Sequence, residues 1–176
     1  DVVLSRGLGD VYKRQYIQIA KKNHKEGKIY QANEIYKKLI NQKIYTYDLL
    51  ISYGLFCKEI NNLKIAKNLF FLSIKKYPLK INSYILLAEI FRKENNVNDA
   101  LRTLHAAKKI EKLNSELDYN LSISYKTIKL FKEAILSIDS AIKQKPDNQI
   151  YKILKADILI DSFQDEKAKE LLLNLK

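Results

Sequence analysis

The chain has no tryptophan and no methionine, and in 176 residues it has one cysteine, two histidines, two prolines and four glycines. Each shortage closes off a class of protein. A lone Cys57 allows neither a disulfide framework nor a thiolate metal cluster. No uninterrupted apolar run approaches the roughly 18 residues that a membrane-spanning helix needs. His24 and His105 have no carboxylate or cysteine companions at ligand spacing, so no metal site is expected. No nucleophile and base stand in a recognisable pattern either, so the chain is expected to be no enzyme, with no catalytic residue and no cofactor. Arginine is also scarce, four against 28 lysines. Lysine, isoleucine and asparagine share A/T-rich codons, so genome composition is one source of the +12 charge and a selected site for polyanions is another.

Residues 1–15 differ from the rest. They hold two of the four glycines and two of the four arginines. Ser5 to Gln15 resembles, residue for residue, the translation of a transposase sequencing adapter, so residues 1–15 are expected to be a non-native scar of shotgun or environmental sequence. Removing it takes away three positive and two negative charges and leaves the chain basic. The Gly7-Leu8-Gly9 run lacks a preceding strand and a third glycine, so it is no nucleotide-binding signal.

What the chain does have is a ladder. Ala32, Ala66, Ala100, Ala134 and Ala168 each stand 34 positions after the last, and Ala20, Gly54, Ala88, Ser122 and Ala156 keep the same step. Two ladders of small residues at one spacing mean a repeated unit. With the first ladder at repeat position 20, the units run 13–46, 47–80, 81–114, 115–148 and 149–176, the last stopping short of a full period. In each unit apolar residues recur at steps of three and four on either side of a break, which predicts two amphipathic helices. The breaks fall at Gly27, Asn61-Asn62 and Asn95-Asn96, residues that tolerate a left-handed turn. Lys129 and Phe163 hold the same slot in the last two units and signal it poorly.

Small residues at positions 8 and 20 with a large apolar residue at 24 (Tyr36, Phe70, Leu104, Ile138, Leu172) and proline at 32 (Pro78, Pro146) resemble the tetratricopeptide repeat. The resemblance covers residues 16–176 in five units without an insertion. It implies an all-α fold, a right-handed superhelical solenoid of antiparallel helix hairpins, here read as one domain over 16–176. Positions 8 and 20 would be where the two helices cross most closely, with position 24 and positions 11 and 17 filling the space beside them. Asn23, Lys155 and Asp165 break the apolar pattern in the outer repeats, as terminal units allow. Both ends are expected to be cuts from a longer parent, because Leu171, Leu172, Leu173 and Leu175 close the chain with apolar side chains.

The same resemblance places the first helix of each repeat on a concave face. Position 5 gives Ile17, Ile51, Ile85, Tyr119 and Ile153, an apolar line, and position 12 gives His24, Lys58, Arg92, Lys126 and Ile160, a mostly basic one. Such a pair of lines suits a partner protein or peptide with apolar anchors and acidic flanks. Position 5 can equally be core covered by the next repeat, and position 12 a solvated lysine edge. The carboxylate clamp of some relatives is missing, since the best window supplies Ile17, Lys21, Ser52, Asn82 and Leu86. The expected function is therefore a non-catalytic protein-interaction scaffold. The alternative is the helical front of a larger microbial enzyme, such as a glycosyl- or sulfo-transferase; nucleic-acid binding is disfavoured because related RNA readers keep a 35-residue period. Nothing in the sequence fixes the compartment, and the cytoplasm is the default.

Overall fold

The computed structural model describes residues 2–173, with side chains from Val11 onward. Asp1 lies outside the described residues, as do 174–176 at the end of the fifth repeat, and up to Asp10 the adapter-like stretch is described by its backbone alone. Ten helices are described: α1 (Val2–Lys25), α2 (Ile29–Asn41), α3 (Tyr47–Glu59), α4 (Leu63–Lys76), α5 (Asn82–Lys93), α6 (Val97–Ile110), α7 (Ser115–Thr127), α8 (Phe131–Gln144), α9 (Gln149–Asp161) and α10 (Asp165–Leu173). Among the described residues there is no strand. The chain packs as two compact units, one through Pro78 holding α1–α4 and one from Leu79 holding α5–α10.

Each 34-residue repeat supplies one helix pair, and the turn inside each pair is built the same way five times. Gly27, Asn61, Asn95, Lys129 and Phe163 all have positive φ, between 58° and 72°. The next amide then reaches back five residues: Asn62 N–H to the Cys57 carbonyl (2.7 Å), Asn96 to Phe91 (2.8 Å), Leu130 to Tyr125 (3.0 Å) and Gln164 to Leu159 (2.8 Å). This left-handed cap satisfies carbonyls that the end of the first helix leaves open. The poorly signalled turns at Lys129 and Phe163 thus close like the others. Tertiary packing imposes the conformation there, against a cost of about 1–2 kcal/mol for a side chain in the left-handed region. Where asparagine follows the turn it also starts the second helix, since Asn62 accepts from Ile65 N–H and Asn96 from Asp99 N–H, both at 3.3 Å.

The small-residue ladder is buried along its whole length. Ala20, Ala32, Ala66, Ala88, Ala100, Ser122 and Ala134 expose nothing, and Ala156 and Ala168 almost nothing. A direct bond joins the two rungs in the fourth repeat, where Ser122 Oγ donates to the Ala134 carbonyl at 2.9 Å. In the second repeat the approach is tighter still. A Cβ on Gly54 would stand 2.3 Å from Phe70 Cε1, inside any permissible contact. Beside the crossings, the position-24 side chains Tyr36, Phe70, Leu104 and Ile138 are fully buried, each worth about 1.5–3 kcal/mol. Leu172, at the same position of the last repeat, is exposed. In the outer repeats Asn23 and Lys155 are only half-buried and Asp165 is exposed, and the Lys155 ammonium lies 2.7 Å from Asp139.

Among the described residues of the unit from Leu79, one charged side chain is buried. Asp118 on α7 is almost wholly enclosed and pairs with Lys108 of α6. Its second oxygen accepts from Ser140 Oγ at 2.7 Å and Gln144 Nε2 at 2.8 Å, both on α8. Three helices from two successive repeats are thereby fixed around one carboxylate.

Two measurements check this packing. Gly54→Ala should lower stability by about 1–3 kcal/mol in denaturant unfolding, because the Phe70 ring has nowhere to retreat. In a Phe70→Leu background the same change should stabilise by up to about 1 kcal/mol, the ordinary helix gain of alanine over glycine. Asp118→Ala strands Lys108 against α7 and should cost about 3 kcal/mol, and a loss below about 1 kcal/mol would contradict the assigned role.

Candidate protein-interaction face

Position 5 divides into buried and open members. Ile17, Ile51 and Ile85 are buried, with 1%, 9% and 3% of their surface exposed. Tyr119 is half-buried, its ring stacked on Tyr151 of α9 with centroids 5.1 Å apart. Ile153 is 53% exposed. In the unit from Leu79, the Tyr119–Tyr151 stack shows position 5 of the fourth repeat meeting the first helix of the fifth. Three of the five residues are therefore core side chains.

Position 12 is a row of joints between repeats. His24 Nε2 lies 2.7 Å from Glu59 Oε2. Arg92 donates through Nη1 to the Asn120 carbonyl (3.3 Å) and Ser124 Oγ (3.1 Å), and through Nη2 to Asn120 Oδ1 (2.8 Å). Burial pulls the Arg92 guanidinium below its usual range, with the Glu89 charge acting in the opposite sense. Lys126 pairs with Asp157 and lies 3.1 Å from Asp161 Oδ2. Burial alone would pull this ammonium down, but the hydrogen bonds it donates to the two carboxylates outweigh it and the net shift is upward. Lys58 is half-buried and Ile160 is 50% exposed. The basic line thus spends most of its charge inside the molecule. A spacing signal existed for these pairs: His24, Arg92 and Lys126 at position 12 each meet an acidic or amide group at position 6, 9 or 13 of the next repeat.

In the unit from Leu79, the first-helix face opens into a cavity of about 670 Å³. Ile123, Lys126 and Thr127 of α7, Leu154, Asp157 and Asp161 of α9, and Phe131 line it, with the two left-handed turn residues Lys129 and Phe163. The Phe163 ring is 93% exposed although its backbone sits at φ 59°. A bulky aromatic gains nothing for the fold at such a place. On α9, Ile150, Ile153 and Ile160 add three open apolar side chains. Sequence reasoning noted Phe163 only as a weak turn, placed Phe131 at position 17 as a core-filling residue, and passed over Ile123 and Leu154. Their shared cavity depends on two repeats being stacked, which no single repeat displays.

Elsewhere, Cys57 is buried and burial pushes its thiol up to about 11, a core thiol as its repeat position predicted. His105 is exposed and lies 2.8 Å from the Tyr125 hydroxyl. Among the described residues no group of three or more His, Cys, Asp and Glu is placed to hold a metal ion. No described helix is long and apolar enough to cross a membrane.

No family model matches the sequence, and no curated protein does. Solved structures do resemble it. A MamA segment from Desulfovibrio magneticus RS-1 aligns with a TM-score of 0.79 at 15% identity, over 93% of this chain and 92% of that one. A further MamA structure aligns at 0.77 and 16% identity, over 91% and 87%. TTC0263, a thermophilic tetratricopeptide-repeat protein of Thermus thermophilus, aligns at 0.74 and 12% identity, over 93% and 89%. At these identities the likeness speaks to architecture alone, and with the ladder and the five equivalent turns it gives the conclusion: this chain has the tetratricopeptide-repeat fold.

Proposed function

We propose that the chain is a non-catalytic scaffold that binds a partner polypeptide on its first-helix face. The observation that carries this reading is the cavity beside α7 and α9, where Ile123, Phe131 and Leu154 share the lining with charged side chains and meet an exposed aromatic residue held in a strained turn. Packing imposes this turn in every repeat, so it is the exposed aromatic residue placed there, and not the turn, that supports a contact role. Tyr119 and Ile153 supply apolar surface, Phe163 closes over a side chain seated in the cavity, and Ile17, Ile51 and Ile85 support their own stretches of the face. Lys58, Arg92 and Lys126 hold the positions assigned to a basic line. Because carboxylates already answer Lys126, apolar contact leads and attraction to acidic flanks follows. Aspartate at Ile51 or Ile85 would test folding, since both are buried.

Peptides selected from a random display library on the immobilised chain, then titrated by fluorescence anisotropy, provide the test. Ile153→Asp should leave the helical circular dichroism unchanged and weaken the selected peptides at least about tenfold. Phe163→Asn should weaken them too while raising Tm, because relief of about 1–2 kcal/mol of backbone strain is worth about 2–8 °C in a domain of this size. Peptides that bind both variants as tightly as the parent chain would remove the assignment.

A further inference from the structure

One edge of the unit from Leu79 carries more exposed lysines than acids. Its helices alternate in direction, so the ends of α6 and α8 share an edge with the starts of α5, α7 and α9. At 3.3 Å, the Tyr151 hydroxyl donates to Ser115 Oγ, which brings the starts of α9 and α7 side by side. Along this edge stand Lys80, Lys109, Lys112, Lys143 and Lys145, all exposed, against Glu111, Glu116 and Asp147. The opposite edge, formed by the left-handed turns, mixes both signs, with Lys93, Lys129 and Lys132 beside Glu94, Glu133, Asp161 and Asp165.

A second observation falls on the same edge. Leu79 and Leu113, 34 residues apart and in equivalent loops, are 76% and 78% exposed, and Ile110 near Leu113 is exposed as well. Lysines at the end of a helix suit its dipole, and that accounts for Lys109 and Lys143. It accounts neither for Lys80 and Lys112, which lie in the loops, nor for two leucines standing in water. Apolar tips ringed by cations match one surface, a layer with phosphate outside and hydrocarbon beneath.

We propose that this edge docks on an anionic phospholipid bilayer. Leu79 and Leu113 dip into the boundary between headgroups and acyl chains, and Lys80, Lys109, Lys112, Lys143 and Lys145 lie against the lipid phosphates. Two leucines and five lysines give reversible attachment that leaves the face of α7 and α9 free. A nucleic acid would use the lysines and give the leucines no role, so the leucines decide between the two.

Flotation of the whole chain with vesicles tests the proposal, using phosphatidylcholine alone and the same lipid with about a third phosphatidylserine. The chain should float with the anionic vesicles only. Leu79→Ser with Leu113→Ser should weaken that binding about tenfold, and Lys109→Gln with Lys112→Gln should weaken it about fivefold for each lysine. All four sites are exposed, and circular dichroism checks that the variants fold. Since the chain has no tryptophan, Leu113→Trp adds a direct probe whose emission should move to shorter wavelength on anionic vesicles. Equal flotation with both vesicle types, a leucine variant that binds like the parent, or a tryptophan emission that stays put would each overturn the proposal. So would displacement of the chain from vesicles by random-sequence RNA with the leucine variant binding that RNA unchanged.

Discussion

Everything in this structure depends on how closely two helices approach inside each repeat. At the crossing there is room for a hydrogen, a methyl or a hydroxymethyl group, and for nothing more. Gly54 shows the limit, with the Phe70 ring occupying the place of its missing Cβ, and Ser122 shows the use, bonding across to the Ala134 carbonyl. Close approach lets Tyr36, Phe70, Leu104 and Ile138 bury completely beside the crossing, and their burial contributes much of the energy that holds each pair together.

Once the crossings are fixed, the register fixes the rest. Position 15 must turn left-handed, whatever residue holds it. Within the unit from Leu79 position 12 faces the next repeat, and there the chain places Arg92 against Asn120 and Ser124, and Lys126 against Asp157 and Asp161. These are polar joints with more than one partner each, so they specify neighbour and spacing more than they add stability. The Asp118 cluster does the same from the other side of α7, tying α6 and α8 to one carboxylate. Charge that composition presents as a uniform lysine excess is therefore sorted by place. Some is consumed between repeats, and five exposed lysines of the unit from Leu79 stand on one loop edge.

The fold was legible because its signals are local and repeated. A methyl-sized residue every 34 positions and a turn residue in phase with it can be read along the chain without knowing any contact. The face was less legible, for reasons that particular residues make plain. Ile85 and Ile153 hold the same repeat position, yet one is buried and the other open, because exposure depends on what stacks on the helix and not on the helix itself. Lys126 reads as a free cation until Asp157 and Asp161, one repeat later, are brought against it. Phe163 reads as a poor turn residue, and its exposure beside a lined cavity is visible only once two repeats are stacked.

The account therefore stands or falls on the register of the crossings, and the most direct measurement compares two alanines on the same helix. Ala100 is fully buried at a crossing, whereas Ala106 is exposed on the same helix, α6. Ala100→Leu should cost about 1–3 kcal/mol through overpacking, lowering the thermal midpoint by about 2–10 °C, while Ala106→Leu leaves it within about 1–2 °C, as surface changes do. Equal midpoints for the two variants, or a larger loss at Ala106, would contradict the packing described.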